Sequence, residues 1–197
     1  IIDHVGKIKN VSEIKFKGNP DLIQIVGRDV DEVFLSEIKK LSLSPDIIAK
    51  YHDLKIVYTP IHGTGVKLIP ESLRNYGFTN IINVPEQDVT SGDFPTVESP
   101  NPENPPAMAM AIAKAKEVGA DLVMASDPDA DRVGCVIRDS RGEYVLLNGN
   151  QIVMILLNYL MTRNAELGRL TGNEYIVKTI VTTETIKRIA DENNIRM

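Results

Sequence analysis

The sequence predicts an α/β fold with a mixed sheet, and three observations carry that prediction. From Leu54 onward, short apolar runs of strand length alternate with segments of helical period. Two of the runs, residues 132–138 and 143–147, are joined by the tight turn Asp139-Ser140-Arg141-Gly142, which makes that pair antiparallel. The run 121–125 leads into Asp127, Asp129 and Asp131, so polar chemistry sits at a strand end, where open α/β sheets place their sites.

Taken in order, residues 1–29 read as a lead-in. Residues 14–17 alternate like a short strand, Gly18-Asn19-Pro20-Asp21 turns, and 22–26 is a second apolar run, which together predict a hairpin. Asp29 reads as the N-cap of a helix reaching about Leu41, with Val30, Val33, Phe34, Ile38 and Leu41 on one face. Ser44-Pro45 opens a further short helix. Residues 55–58 form a strand, Thr59-Pro60-Ile61-His62-Gly63-Thr64-Gly65 a loop, and about 66–76 a helix stopped by Gly77. A strand at 80–84 precedes a stretch, 85–106, with too many prolines for a helix or central strand. Loops of that length are often functional. A small-residue helix over 107–118 ends at Gly119. After the antiparallel pair, Asn148 caps a helix of roughly 151–161, apolar enough to be largely buried. A strand at 175–180 and a helix at 183–192 follow the break at Thr171-Gly172-Asn173. The organisation predicted is a lead-in over 1–29, an α/β domain over 30–170 and the start of another domain over 171–197.

Composition narrows the function classes. The 197 residues are 43% hydrophobic and 25% charged, ordinary for a folded soluble chain. A net charge of -5 argues against nucleic acid and membrane surfaces as partners. No run reaches a membrane span and no secretory signal opens the chain. The single Cys135 lies in an apolar strand and points to core packing in a reducing compartment, so a cytoplasmic location is expected. The chain opens on Ile1 and stops after one strand–helix unit, which reads as a fragment of a longer protein.

The aspartate loop carries the chemistry. Alternate residues of an extended segment point the same way, so Asp127, Asp129 and Asp131 can converge. Three close carboxylates repel one another unless a cation joins them, and oxygen ligands alone favour magnesium or calcium over zinc. Arg132 adds a fixed cation suited to a phosphate. An EF-hand is excluded, because Arg132 and Arg138 stand where its Gly and Glu are needed. An aspartate-nucleophile phosphatase, with Asp127 attacking and Asp129 as acid–base, stays open. So does a non-catalytic module in which a cation organises the loop, or a plain acidic turn. His62 reads as a structural hydrogen-bonder rather than an acid–base group, and Ser126, with no base beside it, as loop structure.

The loop Asp127-Pro128-Asp129-Ala130-Asp131-Arg132 resembles the magnesium loop of the α-D-phosphohexomutases, the phosphoglucomutase/phosphomannomutase family. Tyr58-Thr59-Pro60-Ile61-His62-Gly63-Thr64-Gly65, Val84-Pro85-Glu86-Gln87, the segment from Phe94 to Glu103 and Gly149-Asn150-Gln151 resemble the same family in the same order. The Pro128-Ala130 form of the loop is most similar to the branch with phosphopentomutase-like and glucose-bisphosphate-synthase-like members. The resemblance implies a three-layer α/β domain, the second of four around one cleft, with 178–183 similar to the opening of the third. It implies Mg2+ bound by Asp127, Asp129 and Asp131 and completed by a phosphoserine oxygen. Arg132 would hold a phosphate of that serine or of a sugar phosphate, and the reaction would pass through a sugar bisphosphate. The family's Ser-His-Asn-Pro nucleophile segment and its Gly-Glu-x-Ser-Gly-type sugar loop are absent from these residues. The chain by itself is therefore expected to turn over no sugar phosphate and to bind Mg2+ weakly. The remaining domains of the parent would be its partners.

Overall fold

A computed structural model describes residues 1–197. The chain divides into two compact units, 1–34 and 35–197. The first holds a single helical turn, α1 (Ile2–Val5), and two 3-10 turns at Val11–Glu13 and Pro20–Leu22, each capped by an Asn side chain, Asn10 and Asn19. The expected hairpin is not formed. Phe16, Leu22, Ile23 and Ile25 are all exposed, so neither apolar run has a surface to bury against and local turn bonds prevail. Helix α2 (Arg28–Lys39) crosses the division and starts one residue before Asp29, which lies in its first turn rather than at its cap.

The second unit is built on a five-stranded sheet in the order β2-β1-β3-β4-β5, with β1 (Ile56–Thr59), β2 (Ile81–Asn83), β3 (Leu122–Ser126), β4 (Val133–Arg138) and β5 (Tyr144–Leu147). Strand β1 is parallel to β2 and to β3, while β3–β4 and β4–β5 are antiparallel. The mixed sheet is the one expected.

Helices α3 (Pro45–Lys50), α4 (Leu68–Tyr76), α5 (Pro105–Val118), α6 (Gly149–Glu166) and α7 (Thr185–Glu192) complete the unit. Helix α5 packs on the sheet face that carries Val57, Val123, Ala125 and Val136, and its Ala107, Met108, Ala111 and Ala115 are fully buried there. Small residues on α5 let its backbone approach the sheet closely, and Gly119 closes it in the left-handed conformation (φ 64). Ile69 of α4 lies on the opposite face, beside Tyr58 and Met124. Helices therefore cover both faces in three layers.

Two expectations for the C-terminal third need correction. Helix α6 is longer than its apolar run, and Asn148 with Gln151 forms a complete capping box at its start. It is not largely buried: Met161 is its one buried residue, and Ile155, Leu156, Tyr159 and Leu160 are exposed. Residues 175–180 form no strand, only an isolated bridge between Tyr175 and Arg196, and Val177, Ile180 and Val181 face solvent. An apolar run without a neighbouring strand has nothing to satisfy its backbone groups in pairs.

Candidate metal centre

Topology fixes where the chemistry lies. From β1 the chain crosses through α4 on one face to β2, then returns through α5 on the other face to β3, on the far side of β1. The carboxyl ends of β1 and β3 therefore flank the point where the connections diverge, the crevice in which open α/β sheets bind ligands. The loops leaving those two ends are 60–66 and 127–132.

In the second loop the ligand oxygens of Asp127, Asp129 and Asp131 lie within 4.8 Å of one another. The three aspartates play unequal parts. Asp127 is buried, with its side chain 1% exposed, while Asp129 and Asp131 are open to solvent. Asp127 Oδ1 accepts the amides of Asp131 (3.1 Å) and Arg132 (3.0 Å), and Oδ2 accepts Arg132 Nε at 2.8 Å. The Ala130 amide donates to the Asp127 carbonyl at 3.0 Å, and Ala130 turns through a positive φ of 61. Asp127 is thus the hub that curls the loop. By this accounting Oδ2 keeps its second lone pair for a cation.

The charges respond as that geometry requires. Burial pushes the Asp127 carboxyl up, but the amide and guanidinium of Arg132 outweigh it and hold the group below the usual carboxylate range. Asp131 is raised, chiefly by the charge of Asp129 and then by that of Asp127. Arg132 is raised in turn by its bond to Asp127. One acid is favoured in its ionised form by donors, and the other is disfavoured in it by the charges of its neighbours. The donor set is all oxygen, and it fits a hard divalent cation such as Mg2+. Arg132 faces Asp127 and, at 3.8 Å, Asp131, with its side chain 57% exposed. Both Asp127 oxygens accept hydrogen bonds from the loop and from Arg132, which fixes the carboxylate's orientation.

The first loop supports the second. Thr64 donates to the Pro128 carbonyl from its amide (2.8 Å) and its hydroxyl (3.1 Å). A Cβ on Gly63 would meet Pro128 Cα at 2.5 Å, and one on Gly65 would meet Tyr58 Oη at 2.5 Å and Ser126 Oγ at 2.7 Å. At Gly63 the two loops touch backbone to backbone, whereas at Gly65 the chain passes close over the side chains of Tyr58, Ser126 and Ile69. Tyr58 Oη bonds Ser126 Oγ at 2.8 Å beneath this contact, and Ser126 closes β3 rather than belonging to the loop. Burial pushes the Tyr58 phenol up to about 12.

His62 is buried, and its ring is fully bonded: Nδ1 to the Val89 carbonyl (2.8 Å) and Nε2 to Thr96 Oγ1 (2.8 Å). Both ring nitrogens are thus taken up by hydrogen bonds within the protein. Sequence reasoning missed these partners. Gln87, fully buried, accepts from the Thr59 hydroxyl at 2.7 Å and donates to Thr96 at 3.1 Å. A glutamine between two prolines of a loop, with threonines near by, was the available signal. Further along, a Cβ on Gly134 would meet the Pro102 carbonyl at 2.5 Å, and Glu103 accepts the Gly149 amide at 3.1 Å. The proline-rich segment is thus a folded strap over the strand ends.

Residues 32–142 match the family model for phosphoglucomutase/phosphomannomutase, alpha/beta/alpha domain II. The chain belongs to the phosphoglucomutase/phosphomannomutase family. A phosphoglucomutase of Staphylococcus haemolyticus is 34% identical over 197 residues, covering 99% of this chain and 35% of the relative. One from Staphylococcus aureus is 32% identical over 195 residues, covering 99% and 34%. The chain spans about a third of the length of the curated relatives it matches. Among solved structures, a protein of Thermus thermophilus provisionally designated a phosphomannomutase superposes with a TM-score of 0.66 at 19% identity, covering 85% of this chain and 35% of that one. A phosphoglucomutase/phosphomannomutase family protein of Burkholderia thailandensis gives 0.58 at 20%, covering 81% and 32%. At those identities the likeness is one of fold. No helix is long and apolar enough to cross a membrane.

Proposed function

We propose that this chain is the metal-loop part of a sugar-phosphate mutase, holding Mg2+ between Asp127, Asp129 and Asp131 for phosphoryl transfer within a sugar phosphate. The observation that carries the reading is the convergence of the three carboxylates at the crevice between β1 and β3, beside a paired arginine. When bound, Mg2+ would supply Lewis-acid stabilisation and a template for in-line transfer between a serine phosphate and the sugar. The chain's own residues do the rest. Asp127, held by two amides and Arg132, keeps the loop curled, so the exposed Asp129 and Asp131 are presented together. Arg132 balances their charge and offers a fixed cation to a phosphate oxygen.

The domain organisation proposed is a lead-in over 1–29, the metal-binding domain over 30–170 and the opening of a third domain over 171–197. The partners are the remaining domains of the longer protein, which bring the phosphoserine and the sugar-selecting loop. A cytoplasmic setting fits a sugar-phosphate substrate. Titration calorimetry with Mg2+ tests the reading directly. Saturable one-site binding that is lost in Asp129→Asn and Asp131→Asn is expected. Equal binding by the wild type and both variants would overturn it. A beryllium fluoride adduct trapped on Asp127 would favour a phosphatase instead.

A further inference from the structure

Ile61 and His62 both adopt positive φ, 47 and 63, and both are buried. For non-glycine residues, and for a β-branched one above all, this is strained backbone that persists only where the surroundings impose it. What imposes it is the segment 87–96. The His62 amide donates to the Gln87 carbonyl (3.0 Å), and the Ser91 amide donates to the His62 carbonyl (3.0 Å). The ring adds its bonds to Val89 and Thr96. Every polar group of His62 is therefore bonded to that one segment. The directions are consistent throughout: a carbonyl only accepts, so Nδ1 carries the proton toward Val89. Nε2 then accepts from the Thr96 hydroxyl, which itself accepts from Gln87 Nε2. Immediately beyond this turn stand Gly63 and Thr64, the residues that seat Pro128.

We propose that His62 is a positioning residue for the aspartate loop. Its Nδ1–H, anchored on the Val89 carbonyl, holds the left-handed turn that presents Gly63 and the Thr64 amide to Pro128, and so sets the spacing of Asp127, Asp129 and Asp131. The inference rests on the metal reading above and names the residue that shapes its site from outside.

The informative pair of variants is His62→Gly and His62→Asn in the full 197-residue chain. Glycine and asparagine both accept a positive φ, so backbone strain is not the difference between them. Asparagine keeps a donor near the place of Nδ1 and glycine does not. Two quantities are read: Mn2+ affinity by electron paramagnetic resonance, and amide exchange at Thr64. His62→Gly is expected to weaken Mn2+ binding about tenfold, the lower end of what the loss of an outer-shell partner costs. It should also expose the Thr64 amide to exchange while Val57 and Val123 in the strands stay protected. His62→Asn is expected to restore most of both. Thr96→Val, a milder change, should move both readouts the same way by less, and serves where His62→Gly does not fold. Unchanged affinity and unchanged Thr64 protection in His62→Gly or, if that variant does not fold, in Thr96→Val would overturn the proposal. So would an equal loss in His62→Asn and His62→Gly. Absence of saturable Mn2+ binding by the wild type would overturn the metal reading and this inference together, which separates the two failures.

Discussion

Asp127 and Asp131 sit four residues apart and titrate in opposite directions, because one is surrounded by donors and the other by acids. The lowered carboxyl of Asp127 adds stability above its unfolded value, ordinarily about 3.9, and that contribution is lost as pH falls through its depressed folded value. The raised carboxyl of Asp131 has the reverse sign: its ionised form is strained in the folded loop, and lowering the pH relieves it. A cation at this place should therefore displace protons from Asp131. Mg2+ binding is expected to weaken as acid protonates the raised Asp131 carboxyl, with proton release measurable in buffers of different ionisation enthalpy. Asp131→Asn should raise the melting temperature of the metal-free chain and abolish any Mg2+-induced rise. A melting temperature lowered by that substitution would show that repulsion does not govern the loop. Tyr58 gives a second residue-level test. Its phenol, raised to about 12, stabilises the fold fully below the unfolded value near 10, and that stabilisation is lost between about 10 and 12. Ultraviolet titration should show a tyrosinate component delayed to about pH 12 that disappears in Tyr58→Phe.

At the scale of elements, the loops at the ends of β1 and β3 fit only because Gly63 has no side chain. In Gly63→Ala a Cβ would press on Pro128 at 2.5 Å from Cα and 2.8 Å from its oxygen, both backbone atoms that cannot swing aside. The aspartate loop must shift, and Mg2+ affinity in calorimetry should drop by about an order of magnitude, as for other supports of a metal ligand set. Helix α5 tests packing separately. Met108 is fully buried against the sheet, and Met108→Ala should cost about 2–5 kcal/mol in denaturant unfolding without altering metal binding per folded molecule. These elements were legible in the sequence because their periodicity, caps and glycines agree with one another. Asn148, Gly77, Gly119 and the turn at 139–142 all stand where they were read. The strands predicted at 14–17, 22–26 and 175–180 were not formed because an apolar run specifies a strand only when a partner edge exists, and alternation alone cannot supply one. The aspartates were legible for the opposite reason: their spacing is local. The Gln87–Thr96–His62 relay joins residues up to 34 positions apart, and no local pattern encodes such a meeting.

For the whole molecule, the family membership and the chain's own contents pull in different directions, and that tension yields the last prediction. The three aspartates, Arg132 and the Thr64 bonds that seat Pro128 all lie within these residues. A phosphoryl group, however, must be received and returned by a nucleophile, and positioning alone contributes only when the reacting group is there to be positioned. Within these 197 residues Ser126, the serine beside the aspartates, is buried and tied to Tyr58, with no base in reach of its hydroxyl. The chain alone, supplied with Mg2+ and a hexose 1-phosphate primed with the corresponding bisphosphate, is therefore expected to give no 6-phosphate by phosphorus NMR. It should nevertheless bind the metal. Turnover that survives in the wild type and vanishes in Ser126→Ala would place a nucleophile inside this domain and refute the division of labour. Binding without turnover would locate the phosphoserine elsewhere, and would leave the aspartate loop as a half-site whose affinity rises when a phosphate oxygen is added. Inorganic phosphate can probe that directly: with Arg132 present it should tighten Mg2+ binding, and with Arg132→Ala it should not.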